Sequence, residues 1–303
     1  MRRRIYPISL LDILLGLALI AAAVYLAGRV SEDLHYKWRW HLIPQYLVRF
    51  DDETGRWVPN YLLQGFFTTI RLSFWGMILA TIFGAFIGLA RTSLMAFRRM
   101  VGALYVELIR NTPPLVLIFI FYFFVSDQLM PLLGVQEFAD QASERVRSLI
   151  GYLLCPPSML PSFLSALLTL SLFEGAYIAE IVRSGIQSIE KGQWEASSAL
   201  GFTRMQQLRH VIMPQAILRI LPPMAGQFIS TIKDSAIVSV ISVQELTFQG
   251  MELMAATYMT FEIWITITLL YLVLTMSCSI VVERLEMSMG RYRRGSSISR
   301  RRR

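Results

Sequence analysis

Glu174 stands in a long apolar run with no basic residue within four positions on either side. A carboxylate in such surroundings holds a proton, pairs with a cation from another segment such as Arg71 or Arg219, or faces a wet cavity. In a cavity, a substrate ammonium or guanidinium can reach it. Glu107 and Arg110 lie three residues apart in a second apolar run, the spacing at which two side chains meet on one helix face. The Thr112-Pro113-Pro114 interruption that follows removes backbone donors and frees carbonyls at that depth. The pair therefore reads either as an internal ion pair or as part of a broken helix lining a substrate path that includes Thr112. Glu180 and Arg183 repeat the spacing near the end of their run, where structural pairing is the simpler account. Arg71 and Arg219 each suit a substrate carboxylate, or snorkelling of the charged head to an interface.

Other chemistry is poorly provided for. His35, His41 and His210 are scattered, and Cys155 and Cys278 both sit in apolar surroundings, so neither a metal site nor a disulfide framework is expected. The 15 methionines, including Met251, Met254 and Met259, have no spacing that demands a metal and read as packing. Lys37, Lys191 and Lys233 are the only lysines, and none precedes Ser or Thr, so a phosphate-cradling Walker A loop is excluded. No Gly-x-Ser-x-Gly nucleophile motif occurs. Catalysis by this chain is not expected, and no cofactor is called for.

The elements that must position these charges are membrane helices. Of 303 residues, 54% are hydrophobic and 17% charged, with a mean hydropathy of +0.50, which does not describe a soluble surface. A spanning helix takes about 20 apolar residues. Six stretches qualify, near 8–28, 62–90, 100–125, 158–182, 212–232 and 259–282. They predict an all-α, polytopic transmembrane bundle. Ala236 to Val243 is apolar but too short to cross, and reads as a re-entrant or partly buried segment.

Charge sets the orientation. Segments 1–7, 91–99, 183–210 and 283–303 are net positive, whereas 29–60, 126–149 and 233–257 are neutral or net negative. The positive set is placed inside, with both termini cytoplasmic. The first stretch has a rival reading as a signal peptide, since Arg2, Arg3 and Arg4 precede a run reaching Ala21, Ala22 and Ala23; its length favours a retained helix. The net charge of +8 sits beside apolar runs, so membrane lipid, not nucleic acid, is the expected partner of the basic residues, including Arg300 to Arg303. Trp38, Trp40, Tyr46 and Trp57 mark 29–60 as an outside loop or interfacial helix. Three parts follow: 1–60 with the first span and its outside loop, a transmembrane domain over 61–285, and a basic tail over 286–303.

Between the fourth and fifth stretches, Trp194 to Leu200 favours a short helix, and Gly201 is placed to end it with a positive φ. Pro214 fits the first turn of the following span, where its missing N–H costs nothing. The result is a small helix along the inner membrane face with Glu195 available to a partner.

This segment resembles the EAA loop of bacterial ABC-importer permeases: Glu-Ala-Ala, three residues, Gly, nine residues, then Ile, any residue, Leu-Pro. Glu195, Ala196, Gly201 and Pro214 match in register, while Ser197, Val211 and Met213 replace Ala, Ile and Leu. The runs Glu107 to Leu115, Gly175 to Ile189, Leu221-Pro222-Pro223, and Gln227 through Ser235 narrow the likeness to the polar amino-acid subfamily, the histidine/glutamine/arginine type, over about 60–285. The first span, the 29–60 loop and the 126–157 insertion depart from it. The resemblance implies a type I importer with a five-span core, in the bacterial inner membrane. It further implies two ATP-binding subunits, a second permease subunit as homodimer or heterodimer, a periplasmic solute-binding protein, and an amino acid or a relative such as an opine as substrate. The loop would then be the coupling helix that transmits closure of the separate ATPase. An ion-gradient-driven transporter using Glu174 or Glu180 as a proton carrier, and a non-transporting membrane scaffold, are the rival readings.

Overall fold

The computed structural model describes residues 10–33, 36–53 and 55–300. Arg2 to Arg4, His35 and Arg301 to Arg303, on which parts of the orientation and tail arguments draw, lie outside them. The chain divides into two units, Met1–His41 and Leu42–Arg303.

In the first unit, α1 (Leu10–Asp33) carries the predicted first span, with its apolar stretch confined to Leu10–Ala22. The rings of Trp38 and Trp40 stack with centroids 5.9 Å apart.

The second unit opens with α2 (Ile43–Leu47) and an antiparallel hairpin, β1 (Val48–Asp51) and β2 (Arg56–Pro59), in which Phe50 pairs with Trp57. The segment read as an outside loop or interfacial helix thus contains a small sheet that neither reading included. Thereafter the unit is helical. α3 (Tyr61–Arg91) is the second predicted span. α4 (Ala96–Arg110) and α5 (Pro114–Ile120) together occupy the third, and here the boundaries move. The helix predicted over 100–125 breaks at 111–113, because Pro113 and Pro114 donate no N–H and the residue before each proline is pushed out of the helical region. The apolar helix long enough to cross runs instead from Pro114 to Leu132, through a π-helical turn at Phe121–Ser126 and α6 (Asp127–Leu132).

The insertion folds into α7 (Val135–Gln141) and α8 (Glu144–Leu153). It is fastened to α3 by the Trp75 indole N–H, which donates to the Leu153 carbonyl at 3.0 Å. α9 (Leu160–Gln187) follows, then α10 (Lys191–Ala199), α11 (Arg204–Gln206) and α12 (Met213–Asp234). α12 stays helical through Pro222 and Pro223. The predicted re-entrant segment is a 3₁₀ helix over Ser235–Ile241 with Ser235, Val238, Ser239 and Ile241 buried. α13 (Leu246–Thr257) and α14 (Thr260–Arg300) complete the chain.

Within the described residues all six predicted stretches are largely helical, the third interrupted at 111–113. Among the described residues, four helices are long and apolar enough to cross a membrane: Tyr61–Arg91, Pro114–Leu132, Pro157–Gln187 and Thr260–Arg284.

The central pair is α3 and α9. A Cβ on Gly84 would lie 2.6 Å from the Ile178 Cβ and 2.7 Å from the Gly175 carbonyl oxygen, so the close approach of these helices requires glycine there. Leu72, Phe163, Leu167 and Leu170 form the core toward one end of the pair, joined by Met130, Val135 and Ile150 from the insertion and its approach. Ile178, Val182, Ile186, Ile212 and Ala216 form the core toward the other end, beside the loop that carries α10.

Candidate coupling loop and translocation site

The loop between α9 and α12 is built from local rules. The Gly201 N–H donates to the Ser198 carbonyl at 2.9 Å and the Phe202 N–H to the Ser197 carbonyl at 3.2 Å, while Gly201 adopts φ +78°. That is a Schellman ending for α10, and it answers the orphan carbonyls of the last turn. Two residues later Thr203 caps α11 reciprocally with Gln206 in a capping box. Pro214 lies in the first turn of α12.

Ser197 is buried, its hydroxyl returned to the Trp194 carbonyl at 2.9 Å, whereas Glu195 and Ala196 are exposed. The Arg204 guanidinium lies 3.7 Å from the centroid of the Trp194 ring, a cation–π contact that closes the turn. Burial lowers the Arg204 pKa from its ordinary guanidinium value. Two polar ties bind the loop to α12: Gln215 donates to Gln193 at 3.1 Å, and Arg219 donates to the Ser188 carbonyl.

The second cluster lies between α9 and α12. Glu174 is fully buried, and its Oε2 accepts from the Gln227 side-chain amide at 2.6 Å. Its Oε1 is buried without a hydrogen-bond partner. Thr231 and Asp234 stand beside it. Gln227, Thr231 and Asp234 are spaced by four and three residues, so α12 presents all three on one face. One turn along α9 from Glu174, Tyr177 receives the Arg110 guanidinium 5.6 Å from its ring centroid.

The candidate charges are thus sorted. Glu174 and Arg110 share one neighbourhood, both close to Tyr177. The Glu107–Arg110 ion pair does not form; the Glu107 carboxylate instead accepts from Asn111 at 2.9 Å, and Thr112 folds back onto the Leu108 carbonyl at 2.7 Å. Arg219 turns to the Ser188 carbonyl at the start of the loop before α10, and Arg71 stands near Cys155, so neither pairs with Glu174. Glu180 does pair with Arg183, with Nε to Oε2 at 3.0 Å, and also holds Arg91 of α3 at 2.6 Å. Sequence reasoning missed Arg91, Arg204, Gln227 and Asp234. For the α12 residues, the 227/231/234 periodicity was the available signal.

The chain is a bundle of helices, four of them long and apolar enough to cross a membrane, with a capped loop helix and a buried polar cluster between α9 and α12. The match to a family model settles which kind: residues 80–291 fit the binding-protein-dependent transport system inner membrane component, and the chain belongs to that family. It is 34% identical over 228 residues to the glutamine transport system permease protein of Escherichia coli strain K12, covering 75% of this chain and 92% of that one. To the probable glutamine ABC transporter permease protein of Bacillus subtilis strain 168 it is 32% identical over 224 residues, covering 74% and 91%. The glutamate/aspartate import permease protein of E. coli strain K12 is 31% identical over 249 residues, covering 82% and 94%. Among solved structures, an amino acid ABC transporter with histidines superposes with a TM-score of 0.60 at 32% identity, covering 75% of this chain and 94% of that one. An inward-facing methionine ABC transporter, at 18% identity and a TM-score of 0.55, shares the fold, covering 76% and 96%.

Proposed function

We propose that this chain forms the membrane pathway of an ATP-driven importer for polar amino acids and that α10 is its coupling helix. The observation that carries the reading is the α10–α11 turn. Glu195 and Ala196 are presented outward on a helix whose end is fixed by Gly201, in the register of the EAA loop. The names of the glutamine and glutamate/aspartate relatives support polar amino acids as the substrate class.

In this reading two such permease chains, identical or paired with a related one, enclose the path. Two separate ATP-binding subunits dock on the coupling helices and supply all hydrolysis, and a periplasmic binding protein delivers the solute to the opposite face. Both termini are cytoplasmic, and 61–285 is the transmembrane domain. Closure of the ATPases pushes α10. Because α10 is tied to α12 through Gln193–Gln215, and the end of α9 beside it through Ser188–Arg219, the push reaches the helix that carries Gln227 and Asp234. Alternating access then opens the polar cluster to one side and the other.

In the assembled transporter, Gly201→Asp should remain inserted and keep hydrolysing ATP while solute uptake falls, because a side chain at φ +78° strains the turn by about 1 kcal/mol or more and displaces the docking face. Coupled uptake at the wild-type rate by this variant would remove the coupling-helix assignment.

A further inference from the structure

We infer that the α7–α8 insertion lies on the membrane and holds one acyl chain of a phospholipid in a cleft between α7, α8 and the first turns of α9. Such a site requires only that the long apolar helices cross a membrane, whatever solute they pass.

Connectivity fixes where the insertion sits. One candidate span ends at Leu132 and the next begins at Pro157, so both ends of 133–156 are held at a membrane boundary. The Trp75 indole of α3, a third candidate span, holds the Leu153 carbonyl at the end of α8. The cleft itself has a volume of about 340 Å³, inside the roughly 300–1,000 Å³ of small-ligand sites, and no polar side chain lines it. Of its lining, Val135, Ile150 and Leu160 are buried whereas Leu133 and Phe138 are exposed, so it is open on their side. Leu160 and Leu164 belong to the α9 span, which places part of the cleft at the depth where hydrocarbon begins.

The surface around the cleft is apolar in the same direction. Leu132 is 82% exposed and Tyr152 78%, with Leu149 and Leu153 exposed beside Tyr152 on α8. Both helices are two-sided. On α7, Gln136, Glu137 and Asp140 are exposed, Gln136 donating to Asp140 at 3.1 Å, and helical spacing turns Phe138 to another side. On α8 the charged Glu144 and Arg145 occupy the first turn, and the exposed apolar residues gather at the end that returns to α9. Helices of this kind lie in the interface plane with the apolar face turned into the lipid.

A second cavity, of about 490 Å³, shares Val135 with the cleft and is lined in part by Tyr122, Glu137 and Ser162. An apolar cleft beside a polar one suits an amphiphile, with the chain in the first and the ester and headgroup toward the second. A soluble binding protein that docks and leaves is a poorer occupant, because an apolar patch of this kind would stand bare in water between visits.

The test places the transporter, purified with the subunits it retains, in nanodiscs containing a phosphatidylcholine that carries a photoactivatable diazirine on one acyl chain. After illumination, adducts are mapped by mass spectrometry, with those on the apolar spans as the reference yield. Wild type should carry adducts within 133–154, including the buried Val135 or Ile150. Phe138→Asp changes an exposed position at the open side of the cleft, and should cut that yield about threefold or more relative to the spans, because a charge is costly in hydrocarbon. Leu133→Asn, at a second exposed position there, should do the same and stands in if the first variant loses its subunits. Labelled spans with no adduct in 133–154, or an unchanged yield in the folded variants, would overturn the inference. So would loss of the wild-type adducts when the binding protein is added, a result that would give this face to that protein.

Discussion

Trp194 and Gly201 divide the work at the proposed coupling loop. Gly201 sets the direction in which the chain leaves α10, and the Arg204–Trp194 stack holds the returning segment against it. Glu195 has a different part: it is exposed on α10, so reversal of its charge alters the surface offered to a partner and leaves the turn intact. Glu195→Lys should therefore leave the protein's stability within about 0.5 kcal/mol of wild type while weakening capture of the ATPase subunit. Tight capture by the variant in a pull-down would assign Glu195 to solvation alone. At this scale the sequence was most informative where a local rule sufficed. The positive φ of Gly201, the first-turn place of Pro214 and the Glu180–Arg183 pair all follow from short spacings. Glu107 and Arg110 had equally good spacing and did not pair, because Asn111, four residues on, takes the Glu107 carboxylate and the fold brings the Tyr177 ring to Arg110. Asp234 was legible as a charge but not as a neighbour of Glu174, since their contact depends on how α9 and α12 pack.

At the level of elements, three helices meet at one buried acid. Glu245 caps α13, accepting from the Thr247 and Phe248 N–H groups at 2.9 and 2.8 Å, and its Oε2 also accepts from the Tyr271 hydroxyl of α14 at 2.9 Å. Thr69 of α3 approaches the same oxygen at 3.4 Å and receives the Leu246 N–H at 3.2 Å. A longer side chain than the usual Asp or Ser cap lets one residue tie α13 to both neighbours. Glu245→Gln turns an amide NH₂ toward donors and leaves at least one of them unanswered in a fully buried site. It should cost about 1–3 kcal/mol, read as a lower melting temperature of the purified protein. An unchanged melting temperature would show that the junction relaxes around the lost acceptor. The helices themselves were readable from apolar length. Their ends were less so: the Pro113-Pro114 break divided a stretch that hydropathy joined, and the 48–59 hairpin rests on cross-strand pairing that composition does not report.

For the whole molecule, sidedness is the property on which the importer reading depends, and it comes from the asymmetry of Lys and Arg between alternate segments. A cysteine introduced at Gln193, in α10, should react with an impermeant reagent only from the cytoplasm, and one at Gln136, in α7, only from outside. The reverse pattern would invert the bundle and place the coupling helix where no ATPase could reach it.

The division of labour between a permease without an ATP site and separate ATPase subunits is the claim from which the rest follows. Its direct measurement is solute uptake in proteoliposomes containing this chain, its partner permease, the ATPase subunits and the binding protein, with ATP supplied on the cytoplasmic face. Uptake of a polar amino acid should require ATP and the ATPase subunits together, and should be indifferent to collapse of proton and sodium gradients. Uptake by this chain alone, driven by an imposed ion gradient and abolished by Glu174→Gln, would contradict the account and make the protein a secondary transporter.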